Sequence, residues 1–321
     1  MGCSPARERV VIAFGASMWD VLTSGTMYSS TVRFAALMAF AAVGEWIAEK
    51  AGTMNISVEG GILTGAFTAA LGSDWFGNPW LAILCGIAGG LIVAVIQANV
   101  SHRLGANQFV VGLTLNVLAV GLTAYLDAET NPVVQRVEEF RIPGLAEIPL
   151  IGDALFDRSW VLYFLYPLIP LAWWLVYRTR WGLEVRSVGE NPQAADVSGI
   201  DVNRRRRQAV YIGGLCAGMA GAYLTIGQSG SFAADGVAGR GFLALAAVIF
   251  GGWSLKGTIG GAVIFGFFQA LGSAYQALGY KANPSMLAGM PYVMAIATML
   301  LFAHRSREPG ALGRPFVRGL T

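Results

Sequence analysis

Ionisable side chains are scarce in this chain. Asp, Glu, Lys and Arg make up 13% of its 321 residues and apolar residues 55%, against ~25% charged in a soluble domain. That shortfall excludes an ordinary water-soluble fold and predicts an all-α integral membrane protein. Histidine and cysteine are rarer still. His102 and His304, with the widely spaced Cys3, Cys85 and Cys216, offer no metal set, disulfide framework or nucleophile–base pair. A membrane-embedded enzyme is disfavoured, and His102 reads as a surface or headgroup residue. No Gly-x-x-x-x-Gly-Lys-[Ser/Thr] phosphate loop occurs, so ATP binding must reside in another subunit. The first apolar run contains Asp20 and lacks a clean cleavage pattern, and Met1–Ala6 misses the myristoylation pattern. Residues 1–26 therefore read as an interfacial segment rather than a leader. The net charge of +3 comes from arginines at loop positions and does not suggest nucleic acid.

What the chain does have is long apolar runs. Candidate spans cover 27–46, 55–71, 79–100, 108–126, 159–177, 208–226, 241–253, 257–278 and 285–303. This gives about nine transmembrane helices, with eight or ten as alternatives. One polar island, 178–207, carries seven arginines against four acids, whereas 127–158 carries seven acids against three arginines. By the positive-inside rule the island is cytoplasmic, as is the basic tail 304–321, and the N-terminus lies outside. Trp75, Trp80, Trp160, Trp173, Trp174, Trp181 and Trp253 fall near span ends, as an aromatic belt requires. The run Gly86–Ala98 (GIAGGLIVAVIQA) resembles Gly257–Ala270 (GTIGGAVIFGFFQA). Each follows a short, glycine-interrupted segment, and under this topology the two run in opposite directions. An inverted internal repeat with broken helices usually marks a solute route at the repeat interface.

Few polar residues enter the spans. Glu45, Glu49 and Lys50 cluster at a boundary where charge can be hydrated. Glu59 stands inside an apolar segment beside Gly60 and Gly61 and reads either as an anchor for a broken helix or as an interfacial acid. Asn107 and Gln108 begin a span and Asn116 lies well inside it. Amides can bind an uncharged hydroxylated or heterocyclic solute, and they can equally bridge helices. Arg240 enters an apolar segment after the glycine-rich stretch 227–239, with backbone carbonyls or an acid such as Asp235 as expected partners. Within the island, Gly189–Ile200 reads as one short amphipathic helix, with Pro192 in its first turn and Gly199 ending it. It is either a rigid knob for a soluble partner or a solvated connector, with Arg204–Arg207 as topology determinants only.

The runs Glu49–Gly60 (EKAGTMNISVEG), Ala106–Gln108, Gly189–Ala195 (GENPQAA) with Ser198–Ile200, and Ala238–Gly251 (AGRGFLALAAVIFG) resemble the nucleoside and simple-sugar permeases of bacterial ABC importers. That superfamily also holds branched-chain amino acid and ribose permeases. The likeness covers roughly residues 35–303, in order. It implies one transmembrane permease domain over 1–321, of the vitamin-B12-permease-like importer class, in the bacterial inner membrane. It also implies a second permease subunit (related or identical), an extracytoplasmic solute-binding protein, and cytoplasmic ATPase subunits that carry ATP and Mg; the chain itself needs no cofactor. Gly189, Glu190, Asn191, Pro192, Ala194, Ala195, Gly199 and Ile200 become the ATPase-coupling residues. Asn55, Glu59, Asn107, Gln108, Asn116 and Arg240 become pathway candidates. Thr53 and Ser57 depart from the family, which more often has an apolar residue and glycine there. The implied activity is inward movement of a nucleoside or sugar by alternating access. A branched-chain amino acid permease is the alternative, and an ion-coupled secondary transporter is disfavoured because titratable residues deep in the spans are so few.

Overall fold

A computed structural model of the protein describes residues 25–144, 147, 152–277, 284–302 and 308–317. Most of the expected interfacial segment, together with Cys3, His304, Arg305, Arg307 and Arg318, lies outside the described residues. Helices α1 (Gly25–Lys50), α2 (Val58–Phe76), α3 (Pro79–His102) and α4 (Gln108–Thr130) come first. A small antiparallel pair follows, β1 (Glu139–Arg141) with β2 (Asp157–Ser159), with Phe140 opposite Arg158 and the one-turn helix α5 (Gly152–Phe156) between them. A 3-10 turn (Trp160–Phe164) leads into α6 (Leu165–Arg178), then α7 (Arg180–Glu190), α8 (Pro192–Val197) and α9 (Val202–Ala222). Helix α9 widens into a π-helical stretch, Tyr223–Ser229. The last helices are α10 (Arg240–Phe250), α11 (Leu255–Ala277) and α12 (Pro284–Phe302).

Six helices among the described residues are long and apolar enough to cross a membrane: 25–50, 79–102, 108–130, 160–178, 202–229 and 255–274. Helices α2, α10 and α12 occupy the other three expected stretches. With 11 residues, α10 has about half of the ~20 that a lone crossing needs. Two boundaries differ from the sequence expectation. The stretch 53–57 is not helical, and α2 starts only at Val58. Helix α9 starts six residues early, because Asp201 caps it by accepting from the Arg204 N–H (2.9 Å) and the arginine run is a good helix former.

Helix α9 sits against α1, α2 and α3, while α11 packs along α1. Small residues make these approaches possible, since lipid offers no hydrophobic drive and close backbone contact must supply the attraction. Gly86 and Gly90 of α3 face Gly214 and Gly218 of α9, with backbone touching backbone. A Cβ on Gly65 of α2 would lie 2.7 Å from the Gly218 Cα. Apolar side chains on α4 and α6, such as Val117, Leu122, Leu171 and Trp174, instead point outward.

The bundle has two distinct ends. One gathers the C-terminal end of α1, the helices α7 and α8, the start of α9 and residues 308–317. At the other, the hairpin packs on the π-helical stretch through the Val137 N–H and Ile226 carbonyl (3.1 Å), and Arg158 reaches Ser29. Burial there lowers the Arg158 pKa from its ordinary value, with the neighbouring Arg33 charge adding to the effect. Trp75, Trp80, Trp173 and Trp174 are exposed as a belt requires, but Trp253 is buried. It follows a helix that ends inside the protein, so its indole has protein partners.

Gly218→Leu is expected to overpack the α3–α9 contact by at least ~1–3 kcal/mol and to lower the melting temperature in detergent. Gly121→Ala, where an added methyl meets nothing within 4 Å, should leave melting unchanged or slightly raised.

Candidate translocation site

Two irregular stretches precede helix starts: 53–57, largely buried, before α2, and 230–239, exposed or half-buried except at Val237, before α10. Buried backbone polar groups at these helix starts need partners that no helix ladder supplies. Glu59, in the first turn of α2, supplies them for the second stretch. Its carboxylate accepts from the Gly239 N–H (2.7 Å) and the Gly241 N–H (2.6 Å). One acid thus lies at the start of its own helix and caps the start of another. Both helix N-termini carry partial positive charge, which favours an anion between them. Gly241 must be glycine, since a Cβ there would lie 2.6 Å from Glu59 Oε2. Tyr292 of α12 holds the same stretch by donating to the Ala238 carbonyl.

The first stretch is bound by side chains from three helices. Asn116 of α4 accepts from the Gly60 N–H and donates to the Ile56 carbonyl, both at 2.8 Å. It thereby bridges α4 to the start of α2. Gln108 accepts from the Met54 N–H (2.9 Å), and Gln97 of α3 donates to the Gln108 carbonyl (3.0 Å). The Asn55 N–H donates to Glu45 of α1 (3.1 Å), while its side-chain oxygen accepts from the Ser57 hydroxyl (2.8 Å). Thr53 and Ser57, the departures from the family pattern, are therefore buried hydrogen-bonding residues. Asn107 stands apart: it is an exposed cap of α4 that accepts from the Phe109 and Val110 N–H groups.

Three sequence expectations are corrected here. Glu45 and Glu49 are fully enclosed rather than hydrated. Helix α1 continues to Lys50, beyond the expected span end at 46, and neighbouring elements cover the extension. Glu49 accepts from the Trp253 indole N–H, and the Trp46 indole donates to the Trp253 carbonyl (2.8 Å). The signal was available: Glu45 and Glu49 are four residues apart and share one helix face. His102 is also buried, its Nε2 3.0 Å from the Thr53 hydroxyl.

Beside the 230–239 stretch lies a cavity of about 260 Å³, lined among others by Arg33, Thr225, Gln228, Ser231, Phe232 and Arg240. Arg240 donates to the Gly236 carbonyl (3.1 Å) and its guanidinium lies over the Phe34 ring at 5.1 Å. Among the described residues it holds no bond with Asp235. Arg33 donates to the Gln228 carbonyl (3.4 Å), and Phe232 meets Phe67 edge-on at 5.3 Å. The wall thus combines two guanidinium groups and one aromatic ring with a largely apolar surface, and the Thr225 and Ser229 hydroxyls in it donate to the Ala66 and Leu224 carbonyls.

The island forms two helices where one was expected over 189–200. Gly189 and Glu190 end α7, and Asn191 is extended (φ −145°, ψ 93°). It caps α8 by accepting from the Ala194 N–H (3.0 Å). Pro192, lacking an N–H, cannot continue α7 but suits the first turn of α8. Gly199 turns the chain at φ 84°, and the Ile200 N–H returns to the Ala195 carbonyl (3.0 Å). Ala195 is buried with Val188 and Val202, Ala194 faces outward, and Val197 is 90% exposed. The backbone of Gly189 lies against the carbonyl of Lys50 with no space for a side chain.

Residues 27–303 match the family described as branched-chain amino acid transport system / permease component, and the chain belongs to that family. It is a permease and a multi-pass membrane protein. The chain is 34% identical over 305 residues to the guanosine ABC transporter permease protein NupQ of Bacillus subtilis, covering 90% of this chain and 96% of that protein. It is likewise 34% identical to the nucleoside ABC transporter permease protein NupC of Lactococcus lactis, over 87% of this chain and 92% of that protein. A putative glucose ABC transporter permease protein, TsgC13 of Haloferax volcanii, is 34% identical over 82% of each chain.

Glu59→Ala leaves the buried Gly241 N–H without an acceptor, worth about 1–3 kcal/mol, and removes a second bond at the half-buried Gly239. A large fall in the melting temperature is expected in detergent. Glu59→Gln keeps one acceptor oxygen and should fall between wild type and Ala.

Proposed function

We propose that the chain is the translocation subunit of an ABC importer that moves a nucleoside or simple-sugar-like solute into the cytoplasm by alternating access. The observation that carries this is the single carboxylate, Glu59, joining the starts of α2 and α10. Supporting it, α1 and α9 lie together at the centre, α3 packs along α9, and α11 packs along α1. This is the pattern of an inverted repeat pairing α1–α3 with α9–α11. In this reading 53–57 with α2, and 230–239 with α10, each complete one crossing. That makes nine crossings in a single domain over 1–321, of the vitamin-B12-permease-like class. The N-terminus is then outside, and the island and tail are in the cytoplasm. The named solutes of the 34%-identical relatives favour a neutral hydroxylated or heterocyclic solute, which the Phe232 ring and the two guanidinium groups of the cavity could meet. The cavity arginines would also suit the carboxylate of an amino acid, so a branched-chain amino acid remains the second reading.

The partners follow from this role: a second permease subunit, a solute-binding protein outside, and ATPase subunits holding ATP and Mg inside. ATP-driven closure of the ATPases would press on α8, and the bundle interface would open to one side at a time. Asn55, Gln108, Asn116, Glu59 and Arg240 then serve mainly to hold the broken helices in shape. Arg33, Gln228, Phe232 and the free edge of Arg240 face the solute.

In a reconstituted complex with its ATPases and binding protein, labelled guanosine or glucose should enter proteoliposomes only with ATP, and leucine should stay at background. Leucine uptake above both would establish the second reading, and uptake without ATPase would overturn the proposal. Ala194→Trp, on the outward face of α8, should lower uptake tenfold or more while leaving the melting temperature unchanged. Unchanged uptake would remove α8 from the coupling role.

A further inference from the structure

Residues 308–317 return to the island end and are bound there along their length. The Ala311 N–H donates to the Gly189 carbonyl (2.9 Å) and the Gly313 N–H to the Gly52 carbonyl (3.1 Å). Phe316 packs against the cluster of Val188, Ala195 and Val202, which is the seat of α8. The segment therefore touches the end of α7, the underside of α8 and the turn after α1 at once.

Arg206 fixes this arrangement. It is 0% exposed, and its guanidinium donates to three backbone carbonyls: Arg314 (2.7 Å), Ala311 (3.4 Å) and Ala51 (3.3 Å). Two of the three acceptors belong to the tail segment. An enclosed cation demands internal partners, so the tail and Arg206 require each other. A chain end needed only to show positive charge to the cytoplasm would not have to enclose a guanidinium in this way.

We propose that residues 308–317 are a strap that makes α8 move as one body with the end of α1, so that force applied at α8 reaches the broken helices. This rests on the importer reading above. The connection is continuous in named contacts. The strap holds Gly189 and Gly52, and Gly52 leads directly into 53–57. That stretch is tied to Glu45 and Gln108 and ends in the turn that bears Glu59, which holds the start of α10. Arg206 and Phe316 are positioning residues: neither need touch solute or nucleotide. Without the strap, α8 would keep its outward face but lose part of its support beneath.

The test uses the assembled complex in nanodiscs, reading basal ATPase, solute-stimulated ATPase and uptake for the full chain and for a chain ending at residue 307. Assembly and basal ATPase should persist in the shortened chain, while the solute-stimulated part and uptake fall tenfold or more. Phe316→Ala should show a smaller fall of the same kind, and Arg206→Lys, which keeps charge but loses the planar fork, should also reduce stimulation. Full stimulation in the shortened complex would overturn the strap. If the shortened chain fails to assemble, the two point variants decide: stimulation unchanged in both overturns it, and reduced stimulation at unchanged basal rate supports it. An intact complex that shows no solute stimulation at all would instead bring down the importer reading, and the strap with it.

Discussion

Two helix starts meeting inside a bundle need negative charge and hydrogen-bond acceptors between them, and Glu59 supplies both. Without it, the half-buried Gly239 N–H and the buried Gly241 N–H at the start of α10 would lose their acceptor, which costs free energy wherever water cannot replace it. For the first stretch the counterpart is the Asn116 amide, with Gln108, Glu45 and His102 holding the residues before it. Together they let the chain hold two helix starts next to irregular backbone.

The interruptions are tolerated because the rest of the bundle is tightly built. Glycine faces glycine between α3 and α9, so those helices lie at backbone contact and have little room to splay. Rigidity there and irregularity beside it are complementary. In the proposed importer, a push at the island would reach the interior only through elements that do not deform on the way. The buried network of Glu45, Glu49, Trp46 and Trp253 adds a second set of fixed points, tying the end of α1 to the end of α10.

Much of this architecture was legible in the sequence. The apolar runs located the helices because lipid demands length and apolarity, and the Glu59 region stood out because an acid beside Gly60 and Gly61 in such a run needs a reason. The likeness between Gly86–Ala98 and Gly257–Ala270 falls on α3 and α11, the pair that the proposed repeat would relate. Other features were hidden because they depend on what covers a residue rather than on what precedes it. Glu45, Glu49 and His102 read as boundary residues and became interior ones once α9 and neighbouring segments closed over the end of α1. Arg206 looked like one of four topology-setting arginines, and nothing local distinguishes it from Arg204 or Arg207. Only its carbonyl partners, 105 to 155 residues away in the chain, make it different. Asn107, an amide in a suggestive motif, has its oxygen taken up by the cap of α4.

The π-helical stretch at the end of α9 has a mechanical corollary. A π turn holds one residue more than an α turn. Tightening Tyr223–Ser229 to α geometry would therefore swing whatever follows by about 100° and shift it about 1.5 Å along the axis. Gln228 and Ser231 would change their aim while the glycine seam below stayed in register. The register of the loop relative to the glycine seam is thus set by this one stretch.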